Sequence, residues 1–335
     1  MSFFGMKNNL PFEKIEREIL VRKTATTNSD YGQSPKNRTV EQLMDFGIVN
    51  INKPSGPTSH QVSDFVKKIL NVKKAGHSGT LDPRVTGVLP IAFGRATRIV
   101  QILLLAGKEY ICIMHLHDKV NEENIKEIFN DFIGEIEQLP PIKSAVKRQW
   151  RKRTIYYLDI LEIKGQDVLF KVGCQAGTYI RKLVHDMGEK LGIGAHMAEL
   201  VRTKAGPFGY ESWISLQDLK DAYAFWKGNG EEEKIRDAIQ SPEVAVSHLP
   251  KIWGTDSCVD TLAHGADLSV PGISKLHAGI NQGEMVAVMT LKDELVCLGE
   301  ALMNSQNMIM QEKGVAVKSK KIFYERGIYP KFVKK

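Results

Sequence analysis

Between Glu109 and Leu191 the chain changes its hydrophobic period, and that change restricts the fold more than any other feature. Glu109 to His117 sets Tyr110, Cys112, Met114 and Leu116 on one side of an alternating run, the two-residue period of a half-buried strand. Two more strand-like runs follow, Thr154 to Ile163 and Val168 to Cys174. Tyr179 to Leu191 then returns to helical spacing through Ile180, Leu183, Val184, Met187 and Leu191. Strands and helices mix without a strict βαβ repeat. The pattern predicts an α+β fold with a mixed, largely antiparallel sheet.

The flanking segments divide the chain. Residues 1–45 are polar and turn-rich and read as an N-terminal arm that packs on the C-terminal domain; Ile15, Ile19, Leu20 and Val21 argue against a tail disordered throughout. Residues 46–248 read as the main domain. It opens with a β-like run, Gly47 to Ile51, then Lys53-Pro54-Ser55-Gly56-Pro57, then a helix capped by Thr58 or Ser59 with Val62, Phe65, Val66, Ile69 and Leu70 on one face. Arg95 to Leu105 reads as a helix stopped by Gly107, and Ser215 opens another through Leu216, Leu219, Tyr223 and Trp226. Glu231-Glu232-Glu233 restarts an acidic helix, and Pro242 and Pro250 mark a boundary. From residue 249 to 325 the texture becomes β-rich, with a hairpin from Glu284–Thr290 to Leu295–Ala301. Residues 326–335 form a short tail.

The stretch Gly76-His77-Ser78-Gly79-Thr80-Leu81-Asp82-Pro83 presents one carboxylate on a glycine-spaced polar turn. Glycines permit φ > 0 and close backbone approach, and Pro83 disfavours helical conformation at Asp82. A carboxylate so placed suits a nucleophile or a general base. The same composition also makes an ordinary turn or cap.

Lys and Arg exceed Asp and Glu by 46 to 39, a net charge of +7 that fits a polyanionic partner. Residues 143–153 carry Lys143, Lys147, Arg148, Arg151, Lys152 and Arg153 around Trp150 with no acid, which fits a nucleic-acid track; a solvated strand edge defended by lysines is the competing account. Cys112, Cys174, Cys258 and Cys297 are scattered, which argues against a zinc ribbon or a disulfide framework and for a reducing compartment. No apolar run reaches membrane-spanning length, no signal pattern opens the chain, and a cytoplasmic protein is expected. There is no Gly-x-x-x-x-Gly-Lys-Ser/Thr, Gly-x-Gly-x-x-Gly or His-Glu-x-x-His motif. His115-x-His117 places two imidazoles on one strand face with no third ligand close in sequence and reads as structural, so no metal is expected.

The Asp82 loop, Lys53-Pro54-Ser55-Gly56-Pro57-Thr58-Ser59, Lys108-Glu109-Tyr110, Gly177-Thr178-Tyr179-Ile180-Arg181 and Ala198-Glu199-Leu200-Val201-Arg202-Thr203 together resemble the dyskerin-type pseudouridine synthases of the tRNA pseudouridine-55 synthase family. The resemblance runs from about Phe46 to Phe323 and into the arm. His264-Gly265-Ala266 and the residues after it resemble the start of a PUA domain, an RNA-binding module. What the resemblance implies is isomerisation of uridine to pseudouridine, with no cofactor. It makes Asp82 the nucleophile or base, Arg181 its guanidinium partner and Tyr179 a proton-transfer group. It makes Tyr110 the stacking face for the extruded uracil and Leu200 an apolar wall. His77 takes the place of the flipped base, Lys53 braces the floor, and His264, Gly265 and Ala266 contact RNA.

Pro140-Pro141 passes almost directly to the strand near Tyr156, without the long insertion of stand-alone tRNA enzymes, and this resembles the dyskerin branch. That branch acts on ribosomal RNA inside an H/ACA ribonucleoprotein. It works with a guide RNA, a small nucleolar scaffold protein, a Gar-type protein and a kink-turn-binding protein. The tail lacks the long lysine-rich extension of eukaryotic dyskerins, which points to an archaeal protein. Three alternatives stay open: a stand-alone tRNA enzyme, or tRNA as a second substrate; a non-catalytic RNA-binding scaffold; and a small-molecule hydrolase built on Asp82.

Overall fold

The structure, a computed structural model, describes residues 8–140 and 148–331. Their strands form two sheets. The larger follows the order Ile239–Gln240, Phe46–Lys53, Thr86–Gly94, Ala195–Ala205, Lys108–Leu116, Asp167–Cys174, Arg151–Lys164, Gly134–Gln138; Phe208–Gly209 and Ala75–His77 pair off this path. Every pairing is antiparallel except Thr86–Gly94 against Ala195–Ala205. The expected α+β class with a mixed, largely antiparallel sheet is therefore the observed one.

The parallel contact between these two strands is short, Thr86 to Val201 and Gly87 to Arg202. Gly87 has φ +106°, and a Cβ there would lie 2.2 Å from the Arg202 carbonyl oxygen. Only glycine lets the two strands cross this closely. The crossing joins the sheet's two halves directly behind the Asp82 loop.

The alternating runs form Lys108–Leu116, Arg151–Lys164 and Asp167–Cys174, and the helical spacing forms Ile180–Lys190 with Ile180, Leu183, Val184 and Met187 buried. Helix Ser59–Ile69 is capped by Thr58: its hydroxyl accepts from Gln61 N, and Gln61 Oε1 accepts from Thr58 N. Ser59 is thereby freed for another task. Arg95 to Leu105 differs from the single expected helix. It splits into a 3-10 segment, Arg95–Ile99, and an α-helix, Val100–Leu105. The buried Lys108 Nζ donates to the carbonyls of Leu103, Leu104 and Ala106 at 2.8, 2.9 and 2.6 Å, satisfying that helix end.

The smaller sheet has seven strands in the order Ile19–Val21, Ile273–His277, Lys251–Gly254, Met285–Met289, Leu295–Ala301, Val315–Ile322, Leu268–Ser269. Its first strand comes from the arm, with Ile19 opposite His277 and Val21 opposite Lys275. Lys292 Nζ fastens the next stretch of arm by donating to the carbonyls of Asn28, Ser29, Tyr31 and Gly32. Arg38 grips Glu243 with two bonds of 2.7 and 2.8 Å, and Glu243 Oε1 also accepts from Leu295 N at 2.9 Å. One apolar cluster runs through Phe46, Ile48 and Val88 of the large sheet to Trp253, Met289 and Phe323 beside the small one. The two sheets therefore share a core.

Candidate active site

Asp82 stands on a loop whose neighbours face inward. Ser78, Leu81 and Val85 are buried, while Asp82, Pro83 and Arg84 are exposed. Of the loop's two glycines only Gly79 uses its freedom, at φ +110°; Gly76 lies in the short strand Ala75–His77. Ser59 Oγ accepts from Leu81 N at 2.8 Å and donates to Leu81 O at 3.2 Å. Val85 N donates to Asp82 O at 3.0 Å, and Gly56 N to Pro83 O at 2.9 Å. Beneath these bonds sits Lys53, fully buried, whose Nζ donates to the carbonyls of Pro54, Pro83 and Val85 at 2.9, 2.8 and 2.9 Å. Burial lowers the Lys53 pKa, with the Arg202 charge adding to it, while three carbonyl acceptors hold the ammonium form against that pull. Lys53 is thus a brace under the loop and does not face the open side.

The structure brings Arg181 to Asp82. The guanidinium and carboxylate form an ion pair, with the two side chains 55% and 52% exposed. The carboxylate is therefore not dehydrated in the free chain, and its pairing is open to solvent on one side. Arg181 is the second residue of helix Ile180–Lys190, and Tyr179 is its N-cap. Gln138 fixes that cap from the sheet edge: its Oε1 accepts from Tyr179 N at 3.0 Å and its Nε2 donates to Tyr179 O at 3.1 Å. The backbone that carries both Tyr179 and Arg181 is thereby tied to strand Gly134–Gln138.

Tyr110 and Leu200 lie on adjacent strands, with Tyr110 opposite Arg202 and Cys112 opposite Leu200. Both are half-buried. Burial pushes the Tyr110 hydroxyl pKa up, and the Arg202 guanidinium acts against it. Burial pulls Arg202 down, and Tyr110 opposes that shift. Arg202 is 1% exposed; its Nε donates to Val88 O at 2.7 Å and its guanidinium also reaches Gly79 O at 3.2 Å. His77 precedes the loop on strand Ala75–His77, and burial lowers its pKa, with the His60 and Arg202 charges adding to the shift.

Arg202 is the residue that sequence reasoning left unassigned. It stands two positions after Leu200 in a motif already singled out, but Glu199, Thr203 and Lys204 around it hide its burial. Gln138 was also missed. So was the network behind Tyr110, where the buried Glu109 accepts from Tyr157 Oη at 2.5 Å and from Thr203 Oγ1 at 2.8 Å.

The proposed RNA-contact residues divide into two groups, one beside the Tyr179–Arg181 segment and one next to the smaller sheet. Lys147 lies outside the described residues, as do 141–146 of the short connection. Arg148 and Trp150 are exposed, and Arg151, Lys152 and Arg153 begin strand Arg151–Lys164. That strand is not the sheet edge, because Gly134–Gln138 covers it. Lys152 pairs with Glu135 at 2.7 Å, and Arg153 approaches Gly177. His264 caps helix Asp256–Ala263, its Nδ1 lying 2.8 Å from Asp260 O, and Gly265 and Ala266 follow in an exposed turn. His264 and Gly265 border a cavity of about 640 Å³ against the Arg95–Leu105 segment, with Arg95, Arg98, Lys320, Lys321 and Arg326 on its walls beside a single acid, Glu325, which pairs with Arg95. The cavity is cationic and suits an anion. No residue of the Asp82 loop lines it.

Comparison with known proteins identifies the family. Residues 67–180 match the TruB family pseudouridylate synthase N-terminal domain, and 181–247 the tRNA pseudouridylate synthase B C-terminal domain. Residues 250–323 match the PUA domain and 7–63 the DKCLD domain. The fold is that of a pseudouridine synthase, an RNA isomerase. The chain is 56% identical over 323 residues to the probable tRNA pseudouridine synthase B of Pyrococcus furiosus, covering 96% of this chain and 95% of that protein. It is 51% identical to that of Methanopyrus kandleri, covering 96% and 95%. It superposes on a chain of a Cbf5-Nop10-Gar1 complex with TM-score 0.93 and 56% identity, covering 96% and 98%. It matches a chain of an H/ACA ribonucleoprotein bound to a substrate RNA containing 2′-deoxyuridine with TM-score 0.92 and 53% identity, covering 97% and 100%. The protein belongs to the TruB family of pseudouridine synthases, with DKCLD and PUA domains, and is a close homologue of archaeal Cbf5.

Proposed function

We propose that this protein isomerises uridine to pseudouridine in ribosomal RNA as the catalytic subunit of a guide-RNA-dependent H/ACA ribonucleoprotein. The observation that carries the reading is its end-to-end similarity to the chain found in such a particle with substrate RNA. Its partners are then a guide RNA, a scaffold protein of the Nop10 kind, a Gar1-type protein and a kink-turn-binding protein, in an archaeal cytoplasm. Base pairing to the guide selects the uridine, and the chain supplies the chemistry.

In that chemistry the C1′–N1 glycosidic bond breaks, the uracil turns, and a C1′–C5 bond forms. The C5 hydrogen leaves as a proton and N1 gains one, so the change balances without an oxidant, a reductant or a group carrier. Asp82 acts as nucleophile or base at the ribose or uracil, and Arg181 holds its carboxylate in place. Tyr179 moves the proton. Tyr110 supplies an aromatic face that offsets part of the few kcal/mol needed to unstack the base. Leu200 closes the apolar side, His77 fills the position the flipped base leaves, and the basic run with His264, Gly265 and Ala266 holds RNA.

The test is tritium release from RNA labelled at uridine C5, with and without guide RNA and partner proteins. Release that requires the guide supports the reading, and no release under any condition refutes it. The names of the curated relatives favour a second reading, a tRNA enzyme. Equal release from tRNA without a guide would establish that one instead.

A further inference from the structure

His115, His117 and His196 form a cluster of imidazoles away from the Asp82 loop. In the sequence only the first two are neighbours, and the sheet supplies the third. His196 pairs with His115 in the register of Ala195–Ala205 against Lys108–Leu116. On the other side, Asp167 pairs with His115. Residues directly opposite in register share a sheet face, so Asp167, His115 and His196 make one row across three strands.

His117 Nε2 lies 3.0 Å from His196 Nδ1, and His115 Nδ1 lies 2.6 Å from Asp167 Oδ1. The ring centroids of His196 are 5.2 Å from those of both His115 and His117. The loop before His196 is shaped to this arrangement: Gly194 has φ +74°, and a Cβ there would lie 2.8 Å from His117 Nδ1. Five residues separate Tyr110 from His115, about 17 Å of strand, so the cluster is remote from the uracil pocket.

A nitrogen-to-nitrogen contact needs one ring to donate and the other to accept. The accepting ring is therefore unprotonated at that nitrogen, the state in which imidazole ligates a metal. Two imidazole nitrogens on one tetrahedral zinc ion are roughly 3.3 Å apart, so replacing the shared proton with an ion opens the His117–His196 pair by only about 0.3 Å. Asp167 beside His115 Nδ1 leaves His115 Nε2 with its lone pair free, the carboxylate–histidine arrangement that orients metal ligands. All four side chains reach solvent, so an ion can enter. Among the described residues no three such groups converge closely enough to hold an ion as they stand. Closure requires the His115 ring to swing its Nε2 toward the pair.

We propose that His117, His196 and His115, oriented by Asp167, form a surface site for one late first-row divalent cation of the zinc class. Imidazole ligands suit zinc, copper and nickel over magnesium or calcium.

The experiment titrates the full-length chain with zinc chloride by calorimetry, with equilibrium dialysis to count bound metal. One ion per chain is expected. His117→Ala and His196→Ala should each weaken binding at least tenfold, and Asp167→Asn about 10- to 100-fold. His185→Ala, an exposed histidine on another element, should leave it unchanged. Retained affinity in His117→Ala, equal loss in His185→Ala, or less than one ion per chain would overturn the proposal. A second readout needs no variant: zinc should shift the imidazole resonances of His115, His117 and His196 in the native chain. Shifts confined to other histidines would overturn it equally.

Discussion

Lys53→Met isolates the brace beneath Asp82. The substitution keeps the length and the apolar stem and removes the ammonium. Three carbonyls accept from Nζ at 2.8–2.9 Å. Pro83 O retains the Gly56 N–H and Pro54 is exposed, so the Val85 carbonyl is the acceptor left buried when the ammonium goes. Leaving a buried acceptor unmatched costs about 1–3 kcal/mol. Methionine avoids the desolvation that a buried ammonium carries, which brings the expected net loss to about 1–2 kcal/mol. The catalytic effect should be larger than the loss of stability implies. Pro83 follows Asp82 directly, and a shift of about 1 Å in a reacting group costs on the order of 100-fold in rate. Urea denaturation gives the stability change, and single-turnover tritium release under saturating RNA gives the rate. Gel-shift affinity should stay near that of the parent, because Lys53 faces away from solvent. A variant within about 0.5 kcal/mol of the parent and with an unchanged rate would refute the view that Lys53 holds the loop.

Asp82→Ala should abolish tritium release while RNA binding survives in a gel shift; continued turnover would remove Asp82 from the chemistry. Glu243→Gln should destabilise the chain by about 3–5 kcal/mol in denaturant, because it strands the buried Arg38, and the Arg38→Met/Glu243→Leu pair should recover part of that loss. Equal losses in the single and double variants would contradict this. Burial holds His248 and His277 down at about 4, and His277 Nδ1 accepts from Lys251 N at 3.0 Å. The unfolded chain takes up these protons near pH 6.5 and the folded chain resists until about pH 4, so stability is full above that window and lost as pH falls through it. The more buried His248 contributes up to about 3 kcal/mol of this, and His277 less. Unfolding midpoints at pH 7 and 4.5 should therefore differ less in His248→Gln than in the parent, and an unchanged pH slope would exclude His248 as the source.

Much of the fold was legible because its period was unmixed. Lys108–Leu116 alternates cleanly, with Cys112, Met114 and Leu116 buried. Ile180–Lys190 likewise buries one stripe. Ala195–Ala205 was not legible as a strand, although it sits at the centre of the sheet. It carries His196, Glu199, Arg202, Thr203 and Lys204, and the buried Arg202 occupies a place where periodicity demands an apolar side chain. That arginine is there because two carbonyls of other strands and loops need its donors, a requirement no local pattern contains. The split at Arg95–Leu105 was hidden for a similar reason, since its end is closed by Lys108 from the following strand. Of the site, the Asp82 loop and the Tyr179–Arg181 segment were readable as motifs, but their pairing across about a hundred residues was supplied only by the resemblance. Gln138 had no signal of its own.

The exposure of the Asp82–Arg181 pair bears on where specificity resides. With both side chains about half in water, the pair is worth at most about 1 kcal/mol in the free chain. The backbone beneath it is fixed by Lys53, Ser59 and Arg202 before any RNA arrives, so geometry is preorganised while the electrostatic environment is not. Covering the pair with a docked nucleotide would remove that water and strengthen the attraction several-fold as the effective dielectric falls. On the proposed function, whatever seats the RNA therefore also changes the carboxylate's environment, which couples guide-directed docking to chemistry without a moving catalytic residue. A uridine in loosely bound RNA would meet a hydrated Asp82, whereas one pressed into place by a guide duplex would meet a dry one. Rates on guide-bound RNA should then fall far more steeply with imperfect docking than binding affinity does, and parallel losses of both would argue that Asp82 is already poised in the free chain.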